Sequence, residues 1–277
     1  MASQPIPKYY WEQQYNPTIQ IPDAAEHYAR WARWADLTRA ALPHAREFKY
    51  GRHPREMMDL FRAPCPRGVF MFLHGGYWRS FSKNEFSWVA DALVASGFSV
   101  AVLNYPLCPQ VSIEDISCSC RRAVVFLWRI LGDAERANFV ICGHSAGAYL
   151  VATALTTDWA YHGLPSDPFR GALAISGIYD LTPIVHTSMS ADIKLTMESA
   201  RLWSIAVQRP MVTAPFLLAV GGDETGEFHR QSINQAAAWR QLTRPPYVIP
   251  GRNHFSVVED LRCRETRLFE LAVSILD

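Results

Sequence analysis

Apolar positions along this chain switch period repeatedly. Val69 to Leu73, Phe98 to Leu103, Phe139 to Cys142, Gly171 to Ile175 and Pro215 to Val220 are short, almost unbroken apolar runs. Their length and their glycine, proline or polar borders predict strands buried on both faces. Glu47 to Gly51 and Glu56 to Phe61 predict two opening antiparallel strands, and Pro246 to Ile249 a late one. Between them the apolar residues recur every three or four positions. Asp23 to Leu42 predicts a helix with Tyr28, Trp31, Trp34 and Ala35 on one face and a capping box at Asp23 and Glu26. The aromatic stripe reads as packing against the main body, or as part of a lid. Ser82 and Glu85 form a second capping box before Phe86, Val89, Ala90, Leu93 and Val94, and Gly97 ends that helix. Ser112 caps a helix with Ala123, Val124, Leu127, Ile130 and Leu131 inward. Ala146 to Leu155, Gln231 to Gln241 and Val257 to Leu276 complete the helical segments, and Ser188 to Ser204 is polar and helix-prone.

Strands alternating with helices imply an α/β fold: a mostly parallel central sheet with helices on both faces and a small helical cap. Residues 1–277 read as one domain, with 1–45 a helical extension and 183–213 a candidate lid insertion. Ligands of such sheets bind beyond the carboxyl ends of the strands.

At one of those ends stands Gly143-His144-Ser145-Ala146-Gly147, between a predicted strand and a predicted helix. G-x-S-x-G in that context is the nucleophile elbow of α/β-hydrolases, a turn tight enough to need small flanking residues. A plain strand–helix turn would look much the same, so the remaining machinery decides. A serine hydroxyl needs a base, and the base needs an orienting acid, in the order Ser, acid, His. His254, in the turn after the last predicted strand, is the candidate base. The acid belongs in Gly221-Gly222-Asp223-Glu224. The G-x-x-D spacing of hydrolases, counted from Gly221, falls on Glu224, and Asp223 is the competing carboxylate. Oxyanion donors are expected from Ala146 and from the loop His74-Gly75-Gly76-Tyr77-Trp78, chiefly Gly76 and Tyr77 with Gly75 in reserve. His74 reads as a brace for that loop. Trp78, Tyr179 and Phe255 lie near catalytic strand ends and are expected to line an apolar substrate slot, with core packing their alternative role.

The chain has 277 residues, 49% hydrophobic and 19% charged, with a formal net charge of +1. That near-neutral balance points away from nucleic acid or an anionic membrane as partner. The N-terminal stretch lacks an apolar run of the signal-peptide kind, and no segment approaches spanning length. Cys65, Cys108, Cys118, Cys120, Cys142 and Cys263 show no C-x-x-C or zinc-ligand spacing. The expectation is a reduced, cytoplasmic protein with no metal or cofactor. Its expected partner is a small-molecule amide or ester, and a homodimer is allowed.

The His-Gly-Gly-Tyr-Trp loop and the Gly-His-Ser-Ala-Gly elbow resemble those of the α/β-hydrolase type of kynurenine formamidase (arylformamidase). So do the run Glu227-Phe228-His229-Arg230-Gln231-Ser232 and the turn Asn253-His254-Phe255. The resemblance covers most of the chain. It implies metal-free hydrolysis of N-formylkynurenine to kynurenine and formate, and it places the acid, counted back from Glu227, at Glu224. Ala148 departs from the second glycine that relatives often carry after the elbow. Many relatives are esterases, so the resemblance leaves a carboxylesterase or lactonase as the second reading and a catalytically silent binding protein as the third.

Overall fold

A computed structural model of the chain describes residues 6–42 and 45–276, so the part of the N-terminal expectation that concerns residues 1–5 lies outside the described residues. Its frame is an eight-stranded sheet. The strands are β1 (Arg46–Lys49), β2 (Met57–Phe61), β3 (Gly68–Leu73), β4 (Phe98–Leu103), β5 (Phe139–His144), β6 (Gly171–Ile175), β7 (Phe216–Gly221) and β8 (Tyr247–Ile249), in spatial order β1-β2-β4-β3-β5-β6-β7-β8. β2 runs antiparallel to both its neighbours, and every other pairing is parallel. Alternation along β3 explains why the sequence shows a continuous apolar run. Val69, Met71 and Leu73 enter one core, Phe70 and Phe72 the other.

Register aligns the strand ends. Leu73 pairs with Gly143, His144 with Ile175, Ile175 with Ala219, and Gly221 with Ile249. The segments after β3, β5, β6, β7 and β8 therefore emerge along one edge, and all the candidate chemistry sits in them.

The helices in chain order are α1 (Lys8–Tyr15), α2 (Pro17–Gln20), α3 (Ala24–Ala41), α4 (Ala90–Ala95), α5 (Ile113–Ile130), α6 (Asp133–Ala137), α7 (Ala146–Leu155), α8 (Met189–Asp192), α9 (Met197–Trp203), α10 (Gly226–Ala238), α11 (Ser256–Glu259) and α12 (Arg267–Val273). α5 and α7 cover one sheet face; α3, α4, α11 and α12 cover the other. No helix among the described residues is long and apolar enough to cross a membrane.

Several helix boundaries differ from the sequence reading for identifiable reasons. The Ser82–Glu85 capping box forms, but it opens two 3₁₀ turns, and α-helix begins only at Ala90. The Trp88 indole donates to the Glu85 carbonyl at 2.7 Å, and the Val89 amide bonds Phe86 instead. Asp23 makes no side-chain cap at α3; its carboxylate stands 3.7 Å from His27. The expected closing helix breaks at Cys263 to Thr266, where the Thr266 hydroxyl donates to Asp260 at 2.6 Å and caps α12. Ser188 to Ser204 holds two short helices, α8 and α9, joined through Lys194 at φ 51. α10 starts at Gly226, five residues before the expected Gln231, because its first turns bury the charged Glu227 and carry Arg230 instead of showing an apolar stripe.

Candidate active site

Ser145 occupies the sharp turn between β5 and α7 at φ 56 and ψ −119. Its amide donates to the Ile175 carbonyl at 2.8 Å, tying the turn to the end of β6. The glycines on either side have no room for a side chain. A Cβ on Gly147 would lie 2.0 Å from the Leu73 carbonyl oxygen, and one on Gly143 would lie 2.4 Å from the Gly147 oxygen. The departure at Ala148 costs no such clash, since its methyl is fully buried in the core on the α7 side.

The Ser145 hydroxyl stands 3.1 Å from His254 Nε2, and His254 Nδ1 stands 2.6 Å from Glu224 Oε2. The Glu224 side chain is 0% exposed and that of His254 5%, so this chain of polar groups lies out of bulk water. A carboxylate only accepts, so Nδ1 carries the proton and Nε2 presents its lone pair to the serine. The other Glu224 oxygen accepts from Ser176 Oγ at 2.5 Å and from the Gly221 amide at 2.7 Å. Asp223, the competing carboxylate, points elsewhere: it is exposed, and its amide is spent on the Arg252 carbonyl at 3.0 Å.

His144, inside the elbow, adds a contact the sequence did not suggest. Its Nε2–H donates to the His254 carbonyl at 2.8 Å, and burial holds its imidazole neutral, far below the usual histidine range. His74 braces the neighbouring loop from within. Its ring is stacked 4.3 Å from Tyr105 and 5.7 Å from Phe86, and Nδ1–H donates to the Gly75 carbonyl at 2.8 Å. Burial pushes its pKa down to about 3, against the raising effect of that hydrogen bond.

After β3 the loop turns through Gly76 at φ 101, Tyr77 at φ 49 and Trp78 at φ 55. The amides of Gly75, Gly76, Tyr77 and Ala146 bond no backbone carbonyl among the described residues. Gly75, Gly76 and Tyr77 border the same cavity as Ser145 and His254.

That cavity encloses about 340 Å³ and has aromatic walls, with Tyr28, Trp31, Phe81 and Phe255 among them. Phe255 is the only one of the three expected substrate-slot aromatics that lines it. Trp78 is corrected: it is fully buried with its ring edge-on to Tyr149 at 5.2 Å, because the left-handed turn aims it into the core. Tyr179 is corrected too. It is 1% exposed and packs against Phe216 beneath the backbone at Gly177. The residues sequence reasoning missed come from the N-terminal segment (Asn16, Pro17 and Thr18), from Arg79, Ser80 and Phe81, and from Met189 of α8. The Tyr28 and Trp31 stripe was the one available signal, and it serves as both core and cavity wall.

The N-terminal segment is fastened beside the loop after β3. Tyr15 donates its hydroxyl to Glu227 at 2.7 Å and accepts from Gln231 at 2.8 Å, while Arg230 pairs with Glu227 at 2.6 Å. The Tyr15 carbonyl accepts from the Tyr77 hydroxyl. The Glu227–Gln231 run thus anchors the strap that holds Tyr77 in place.

A family model described as the alpha/beta hydrolase fold matches residues 70–237, more than half of the chain. This chain belongs to the α/β-hydrolase fold family. Over most of its length the chain is similar to kynurenine formamidases. It is 29% identical to the kynurenine formamidase of Salmo salar over 82% of this chain and 80% of that one. It is 27% identical to that of Danio rerio over 94% and 92%. Over 40% of the chain and 27% of the relative it is 32% identical to a probable isoprenylcysteine alpha-carbonyl methylesterase of Arabidopsis thaliana. Among solved structures, a "putative thioesterase" from silicibacter sp. tm1040 superposes with a TM-score of 0.85 at 32% identity, covering 95% of this chain and 98% of that one. Esterase B of Lactobacillus rhamnosis, at 16% identity over 91% and 92%, shares the fold with a TM-score of 0.66.

Proposed function

We propose that this α/β-hydrolase is a serine hydrolase that cleaves an arylformamide, N-formylkynurenine being the substrate its relatives' names suggest. The observation that carries the reading is the chain Glu224–His254–Ser145, at 2.6 and 3.1 Å, opening into an aromatic-walled cavity beside free backbone donors. Ser145 Oγ attacks the formyl carbon as its proton passes to His254 Nε2. Glu224 steadies the imidazolium, and the amides of Gly76, Tyr77 and Ala146 receive the oxyanion. The C–N bond then breaks as His254 returns the proton to the aryl amine. Water, deprotonated by His254, attacks the formyl ester and releases formate, restoring the Ser145 hydroxyl. A formyl group needs almost no acyl pocket, and the aromatic walls suit an aryl leaving group.

Hydrolysis of a small ester is the second reading, supported by the local similarity to the methylesterase. A fluorophosphonate probe tests the nucleophile and the ligand together. Labelling is expected at Ser145, lost in Ser145→Ala, and slowed by N-formylkynurenine at lower concentrations than by short aryl acetates. Protection by the acetates alone supports the esterase. A protein that the probe does not label is a silent scaffold.

A further inference from the structure

Among the described residues Arg79 carries the only formal charge on the wall of the Ser145 cavity; the other lining residues are apolar, neutral polar or histidine. It directly follows Trp78, the last residue of the loop after β3, and its amide donates to the Gly76 carbonyl at 3.0 Å, so its backbone belongs to the same turn as Gly76 and Tyr77. Its side chain is 36% exposed, at the cavity mouth. One guanidinium nitrogen, Nη1, meets Asp192 at the end of α8, a carboxylate 50% exposed to water. A second carboxylate, Glu12, feels the Arg79 charge but spends its oxygens on Ser188 and Asn16 at 2.7 to 2.9 Å. Arg79 Nε and Nη2 bond no side chain or carbonyl among the described residues. A guanidinium edge left open beside an apolar cavity matches the geometry of a second, bidentate carboxylate.

We infer that Arg79 is a specificity-determining residue that receives a carboxylate on the leaving group, so that the enzyme selects anionic aryl amides or esters over their neutral counterparts. The inference rests on the serine-hydrolase reading of this cavity, but not on formyl as the acyl group. Asp192 keeps Nη1 and aims the guanidinium. The substrate carboxylate takes Nε and Nη2, and the aryl ring lies between it and Ser145 against the aromatic walls. Among the described residues no carboxylate lines the cavity itself; Asp192, at the guanidinium's occupied edge, and Glu12 stand outside its wall.

Two matched pairs test it: meta-formamidophenylpropanoate with its primary carboxamide, and meta-acetoxyphenylpropanoate with its primary carboxamide. The wild-type protein is expected to show a higher kcat/KM for the acid in each pair it hydrolyses. Arg79→Gln is expected to lower that acid-over-amide preference by at least about tenfold, the size of one lost charge-assisted hydrogen bond, and Arg79→Lys to keep part of it. An unchanged preference in Arg79→Gln, or no preference in the wild type, overturns the inference. An Arg79-dependent preference among the esters with no formamide turnover refutes the formamidase reading and leaves the inference standing. Should Arg79→Gln not fold, added salt serves instead. It should erode the wild-type preference by raising KM for the acid alone, because a half-open charge pair is screened. A salt-independent preference overturns the inference.

Discussion

Ser145 holds a left-handed φ of 56 that costs a non-glycine residue about 1–3 kcal/mol, and its amide bond to Ile175 is one of the contacts that fix it. Ser176, at φ 53, repeats the device under the acid, delivering its hydroxyl to Glu224. The choice between two adjacent carboxylates follows from this geometry. Glu224 is enclosed and bonded on both oxygens, and Asp223 faces solvent. Glu224→Ala is expected to lower kcat by about a thousandfold or more, as loss of a triad acid does, whereas Asp223→Ala should change it by less than about threefold. Steady-state kinetics of the two purified variants settle the matter, and the reverse ranking would refute the assignment. At this scale the sequence was informative wherever a residue's position followed from its place at a strand end, as for Ser145, His254 and Glu224, which the fold brings within hydrogen-bond reach of one another. It was uninformative wherever function depended on the direction of a side chain. Trp78 and Tyr179 stand as near to strand ends as Phe255, but a left-handed turn sends Trp78 inward, and Tyr179 lies beneath Gly177.

At the scale of elements, the site is a joint product of the sheet edge and two additions. The strap from α1 to α2 supplies cavity wall and a hydrogen bond to Tyr77; α8 supplies Met189. Tyr77→Phe removes only the hydroxyl that ties the proposed oxyanion loop to Tyr15. One such bond contributes about 1 kcal/mol, so kcat should fall by about fivefold with KM little changed. Equal losses in both parameters would instead indicate a strap that only closes the cavity. We propose that residues 188–204 act as a lid. Replacing them with a short linker should then alter selectivity among bulky and small aryl leaving groups, and unchanged selectivity in competition assays would refute a lid. The strands were legible because apolar runs of that length have few other uses. The strap was not, since α1 is held by the buried polar set Tyr15, Glu227 and Gln231, which leaves no apolar period to read. The capping box at Ser82 and the cap at Ser112 marked turn starts, while the box expected at Asp23 did not form; the Ser82 box could not tell 3₁₀ from α, where the Trp88 indole bonds the Glu85 carbonyl three residues back.

For the molecule as a whole, the enclosed imidazoles set a dependence of stability on acid. His74 and His144 are buried, and burial lowers both, His74 to about 3. A histidine whose folded pKa lies below its unfolded value of about 6.5 binds fewer protons when folded, so its contribution is intact above that value and fades as pH falls. From pH 6.5 down towards 3 each such group should cost up to about 1.4 kcal/mol per pH unit. Urea melts across that window should show the decline, and His74→Asn should flatten it; parallel curves would show that His74 is not responsible. The whole-molecule frame, with helices on both faces of a largely parallel sheet and chemistry along one edge, also governs function. It brings the segments after β3, β5, β6 and β8 to one cavity, with Glu224 from the segment after β7 behind His254, and the acyl group accepted there is the central question. The most direct measurement is kcat/KM for release of kynurenine from N-formylkynurenine, set beside that for p-nitrophenyl acetate in the same preparation. The proposed reading predicts efficient formamide turnover that vanishes in Ser145→Ala. Fast ester hydrolysis with negligible kynurenine release, or kynurenine release that survives Ser145→Ala, would contradict it.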